Sequence, residues 1–144
     1  MKKHTLKLIS LFLVLIMVSG VAVAAERTMQ PFASDYFDTC SAHISQSGGE
    51  CRVNFTAKAT SLMTSLGVTE IQIQWSYNGT AWNDGETIDL NDEPSMLGSN
   101  KSIYISSVPF SGVEGRYYRA KVTFYASNSS GSDSATITTQ KVLI

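Results

Sequence analysis

Proline, cysteine and histidine are scarce: the 144-residue chain holds three, two and two of them. Two cysteines cannot build the multi-bridge framework of a disulfide-stapled mini-protein, and three prolines cannot make a polyproline stalk. Charged residues make up 16% of the chain, with a formal net charge of -1, which excludes a binder held to nucleic acid by electrostatics. His43 is the single histidine beyond residue 25, so no histidine-based metal set and no nucleophile–histidine pair is visible. The chain is therefore not expected to be an enzyme: no catalytic residue, cofactor or metal is assigned. Also missing beyond residue 25 are an apolar run long enough to cross a bilayer, an internal repeat, and any ten-residue stretch with helical spacing.

Residues 1–25 do hold a hydrophobic run, and its features are those of a secretory signal peptide. Lys2, Lys3 and Lys7 precede an apolar stretch from Leu8 to Val18 that only Ser10 interrupts, and none of the twelve acids falls in this segment. Ser19 and Gly20 break the run, and Ala22-Val23-Ala24 supplies small residues for cleavage after Ala24 or Ala25. About eleven apolar residues span only half of the ~30 Å hydrocarbon core, so cleavage is expected rather than anchoring. The expectation is a secreted protein with no membrane span after cleavage. Residues 26–36 then form an N-terminal extension and residues 37–144 a single domain.

That domain alternates with period two, the mark of strands. Cys40, Ala42 and Ile44 share one face of a first strand, and Cys51, Val53, Phe55, Ala57 and Ala59 one face of a second. A two-residue turn at Gly48-Gly49 sets Ile44 opposite Val53 and Ala42 opposite Phe55. Thr60 to Gly67 has the one helical spacing, a turn or two with Leu62, Met63 and Leu66 on a face and Gly67 as the stop. Strands resume with Ile71, Ile73, Trp75 and Tyr77 against Gln72, Gln74 and Ser76. Thr87 to Leu90 forms a short edge strand, and Ser102 to Ser106 places Ile103 and Ile105 inward and Tyr104 outward. Tyr118, Ala120, Val122, Phe124 and Ala126 form the longest apolar row, and Ser134 to Val142 closes the chain. Turn-linked short strands without a long helix predict an all-β, antiparallel sandwich of about seven strands.

Two resemblances follow. Tyr118-Arg119-Ala120-Lys121-Val122, running through Asn128 and Gly131, resembles the penultimate strand and last turn of immunoglobulin-like and fibronectin type III-like domains. Trp75 resembles the buried tryptophan of an immunoglobulin third strand. More specifically, Leu66-Gly67, Ile71-x-Ile73, Ser76 to Trp82, Pro94-Ser95-Met96-Leu97, Gly115-Arg116-Tyr117-Tyr118-x-Ala120-x-Val122-Thr123-Phe124-Tyr125-Ala126 and Gly131-x-Asp133-Ser134 resemble a group of small exported proteins from clostridia and related Gram-positive bacteria. That resemblance covers roughly residues 32 to 142. It implies a bacterial source, export and the sandwich fold, and it carries no catalytic residue across, because the group has no assigned activity.

The candidate chemistry is sparse. A Cys40–Cys51 disulfide suits an exported chain, but a tight turn at Gly48-Gly49 puts Cys51 opposite Gln46, roughly 20 Å along the strand from Cys40. A long loop would permit the bond; the tight turn, which is preferred, leaves two small core residues. Asp89-x-Asn91-x-Glu93 begins like a calcium loop, but Pro94 stands where such a loop needs glycine. The acids between Asp84 and Glu93 are read instead as a solvated loop beside an edge strand. Ser76 to Trp82 resembles the Ser-x-Asp-x-Gly-x-x-Trp turns of sialidase-like propellers, one residue short, and is read as a hairpin with Trp82 packed over it. Asn54, Asn78, Asn100 and Asn128 open Asn-x-Ser/Thr triplets, which matter only in a eukaryotic secretory route. The surface expected to act is the outer face of the third and penultimate strands, where Gln72 and Gln74 lie beside Tyr117, Arg119, Lys121 and Tyr125. The expected function is an exported, non-catalytic binding module for a protein or glycan at the cell envelope. The alternative is a carbohydrate-binding protein that uses exposed strand aromatics.

Overall fold

The computed structural model describes residues 28–31 and 34–144; the expected leader, residues 1–25, and part of the extension 26–36 lie outside them. In chain order the strands are β1 (Thr28–Pro31), β2 (Phe37–Ser47), β3 (Glu50–Ser76), β4 (Asn83–Asp89), β5 (Leu97–Phe110), β6 (Tyr117–Asn128), β7 (Gly131–Thr138) and β8 (Val142–Leu143), with a single 3-10 turn at Pro94–Met96. Every pairing is antiparallel. The extension thus supplies a strand of its own, with Thr28 opposite Ala42.

β3 organises the rest. Its 27 residues would run roughly 90 Å if straight, so it must bend to stay within a small domain. Its first part pairs with β2, its second part pairs with β6 and β4, and β5 pairs with it on both sides of the bend. The turn comes between Lys58, opposite Ile103, and Met63, opposite Lys101, where β3 carries extra residues that its partner lacks. The sheet therefore curls around one core, in which the Phe55 and Phe124 rings meet edge to face at 6.3 Å among Phe37, Val53, Leu66, Ile71, Val122 and Ile137. At one end the curl is fastened by Ser34 Oγ, which donates to Asp133 Oδ2 at 2.5 Å.

The β2–β3 hairpin has the expected register: Ile44 faces Val53 and Ala42 faces Phe55, about a Gly48-Gly49 turn with φ of +60° and +84°. The alternate apolar residues of β6, Tyr118 to Ala126, are all buried as expected. Local expectations fail at the end of β3, where Tyr77 is exposed while Gln74 and Ser76 are buried, and at three further places. Thr60 to Gly67 is extended, not helical. Met63 and Leu66 reach the core from the bend in β3 while Leu62 stays exposed, so the helical spacing reflects a change of strand direction. Ile103 and Ile105 point outward, 51% and 71% exposed, because they pair with Lys58 and Thr56 on the outer side of β3. Tyr104, opposite Ala57, turns inward between Gly67 and Gly98, and its hydroxyl donates to the Ser95 carbonyl at 2.6 Å. Finally, the closing strand breaks at Thr139, which is buried and exchanges bonds with Ala120: its N–H donates to the Ala120 carbonyl and its Oγ1 accepts from the Ala120 N–H. β8 then pairs with Tyr117 and Tyr118.

Among the described glycines, Gly67 is the most closely approached. A Cβ built there would lie 2.2 Å from the Met96 carbonyl oxygen and 3.1 Å from the Tyr104 ring. Gly67→Ala should cost about 3 kcal/mol in urea unfolding, because backbone must move. Gly49→Asn, at a turn where a Cβ meets nothing within 4 Å, should cost under about 1 kcal/mol.

Candidate functional site

The outer face of β3 and β6 brings most of the expected residues together. Gln72 lies opposite Lys121, Gln74 opposite Arg119, and Ser76 opposite Tyr117. On their far sides Gln72 pairs with Thr87 of β4 and Lys121 with Thr138 of β7, which extends the face across four strands. Tyr125 shares the face but not the neighbourhood. It lies opposite Gly67 and Ser134, eight residues along β6 from Tyr117, or roughly 27 Å. One sugar ring cannot touch both tyrosines.

Within the near group, Gln74 is a buried side chain with both ends satisfied. Its Nε2 donates to Asp84 Oδ1 at 2.7 Å, and its Oε1 accepts from Arg119 Nε at 2.8 Å. Trp82 covers the pair, with the Arg119 guanidinium 4.2 Å from the ring centroid. Beside them, Lys141 Nζ lies 5.4 Å from the centroid of Tyr117 and donates to the Gly79 carbonyl at 3.1 Å. Ser76, also buried, accepts from the Gly79 N–H at 2.9 Å and so holds the turn that delivers Trp82. Asn78 Oδ1 braces the same turn by accepting from the Thr80 and Ala81 N–H groups.

At the end of the sheet, Arg116 lies 4.3 Å from the Trp75 centroid and 5.1 Å from that of Tyr77, with a bond to the Tyr77 hydroxyl at 3.2 Å. Trp75 is only half-buried there, not the enclosed core residue its resemblance implies. Each such contact contributes about 0.5–1 kcal/mol at an exposed site and leaves donors on the cation for another group. Among the described residues the ion pairs are Arg52–Glu50 and Lys58–Asp38. Arg116, Arg119, Lys121 and Lys141 therefore stand on or beside β6 without a carboxylate partner among the described residues.

Sequence reasoning passed over Arg116, Lys141 and Asp84 in this group. Asp84 was legible only as one acid in a run, and Lys141 reaches Tyr117 only because the last strand breaks at Thr139.

The remaining candidates resolve differently. Cys40 and Cys51 are free and buried, opposite Ala57 and Gln46. Asp89 Oδ1 accepts from the Asn91 and Asp92 N–H groups, and its Oδ2 from Asn91 Nδ2. These bonds, the Asn91 N–H first, hold its carboxyl below the usual range and turn it toward its own loop. No group of three His, Cys, Asp or Glu among the described residues is placed to hold a metal. His43 lies in a groove of about 590 Å³ outside β2, β3 and β5, with Ser41, Asn54, Thr56, Ile105 and Ser107 and no carboxylate in its lining.

The chain matches no known protein family, no curated protein and no solved structure.

Two outcomes follow from these environments. Arg119→Met removes the donor to buried Gln74 Oε1 and should cost about 1–2 kcal/mol in urea unfolding. Arg119→Lys should not restore it, since a single ammonium lacks the planar fork that both stacks and donates. Burial, then the nearby Asp133 charge, pushes the Cys40 thiol up to about 12, and burial also raises Cys51. The folded state thus keeps protons that the unfolded chain releases near 9.0. Stability is fully present below that pH and declines as pH rises through 9 toward 12. The slope of that decline, measured by unfolding at several alkaline pH values, should be shallower in Cys40→Ala.

Proposed function

We propose that the chain is an exported, non-catalytic binding module of a bacterium, acting at or outside the cell envelope on a protein or glycan that carries acidic groups. The observation that carries this reading is the set of cations around β6. Arg116, Arg119 and Lys141 are each held against an aromatic ring, and Lys121 stands beside them, all without carboxylate partners among the described residues. A cation held in place by a ring loses less side-chain freedom when it meets an anion, so a ligand finds its contacts partly organised.

In this reading residues 1–25 are removed on export and the domain is an immunoglobulin-like sandwich. One layer is β1, β2, the first part of β3 and β5; the other is β4, the second part of β3, β6 and β7. The curl of the sheet and the turn within β3 support that layering. The absence of catalysis rests on residue chemistry, with a lone histidine and no nucleophile–base pair legible in the sequence.

A neutral-sugar platform is the second reading, supported by Trp82 and Tyr117 at neighbouring positions on one face. One side of each ring is already covered, by Arg119 and by Lys141.

The two separate on immobilised polymers. The purified chain should be retained at low salt by polygalacturonate and by poly-glutamate, with neutral dextran as control, and should elute as salt rises. Lys121→Ala/Lys141→Ala should elute at lower salt. Retention on dextran alone favours the sugar platform. No retention on any of the three sinks both readings.

A further inference from the structure

Ile103 and Ile105 of β5 stand two positions apart on one face of the strand, and both are exposed. β5 pairs only with β3, so its other edge is open among the described residues. Between Lys101 and Pro109 the edge reads Ser102-Ile103-Tyr104-Ile105-Ser106-Ser107-Val108, seven residues without charge or proline. Natural sheet edges are normally blunted against pairing by charges, by proline or by shortness. The β4 edge follows that rule with Asp84, Glu86 and Asp89, and the β7 edge carries Asp133 fastened to Ser34. β5 carries Lys101 and Pro109 only at the ends of that stretch, and it places Ile103 and Ile105 on the solvent face between them.

We infer that this edge pairs with the same edge of a second copy, antiparallel about a two-fold axis through Tyr104. The register selects that occupant. With Tyr104 opposite its own copy, Ile103 lies opposite Ile105 of the second copy and Ile105 opposite Ile103, so both isoleucines gain apolar cross-strand partners on one face. Lys101 then faces Ser107 of the second copy, whose hydroxyl and carbonyl accept from Arg52, a cation already ion-paired with Glu50. A shift of two residues either way sets one isoleucine against itself and leaves the other opposite Lys101 or Ser107. The sheet of each copy continues into that of the other through β5. Because the contact is isologous it closes at two and leaves the β6 face of both copies open.

Sedimentation equilibrium of the purified chain tests the inference. The expected result is a dimer, and Ile103→Lys/Ile105→Lys with an unchanged circular dichroism spectrum should sediment as a monomer. A monomeric parent, growth beyond two copies, or a dimer that survives the double substitution would overturn it.

If the lysine variant does not fold, register decides. Ile103→Cys and Ile105→Cys, mixed and oxidised, should form a disulfide between the two variants, since directly opposed strand residues lie within disulfide reach. The native thiols are buried, 0% and 2% exposed, and stay out of the reaction. Bonds formed only within each variant, or none at all, refute the pairing.

Discussion

The structure depends on one strand being shared. β3 pairs with β2 along its first part, with β6 and β4 along its second and with β5 on both sides of the bend, so both regions of the curled sheet are built on one continuous backbone. The extra residues between Lys58 and Met63 make this possible. They let the strand change direction without surrendering the alternation that buries Phe55 before the bend and Ile71 after it. Gly67 follows, and its missing side chain lets the Met96 carbonyl and the Tyr104 ring close over the strand where β5 crosses it.

Much of this was legible because alternation is a local signal with a fixed period. The rows Cys40-Ala42-Ile44, Val53-Phe55-Ala57 and Tyr118 through Ala126 bury as read, and the glycine turn at 48–49 sets their pairing. What was not legible depended on distant partners. Leu62, Met63 and Leu66 have helix-like spacing only because a bending strand presents its core residues at uneven intervals. The inward side of β5 could not be told from its own residues, since Ile103 and Ile105 read as core while Tyr104 reads as surface. The slot between Gly67 and Gly98 reverses that assignment by accepting the tyrosine ring.

The candidate face shows the same division. That Gln72 and Gln74 neighbour Lys121 and Arg119 followed from strand parity and the assumption that the two strands touch. That Gln74 is buried under Trp82 and Arg119 did not, because it requires β4 to supply Asp84 from one side and the Ser76–Asn78 turn to swing the indole back over the sheet. Tyr125 matched in face and failed in distance, a distinction that parity alone cannot make.

The sharing of β3 also bears on how the molecule comes apart. Neither region of the sheet keeps its central strand unless the other keeps its own, and the Phe55–Phe124 contact joins residues from the two parts of the sheet. Separate subdomains able to melt in turn are thus denied a boundary. The described fold holds together or is lost as a single cooperative unit, with only the solvent-open turn at Gly48-Gly49 and similar loop tips free to fluctuate on their own.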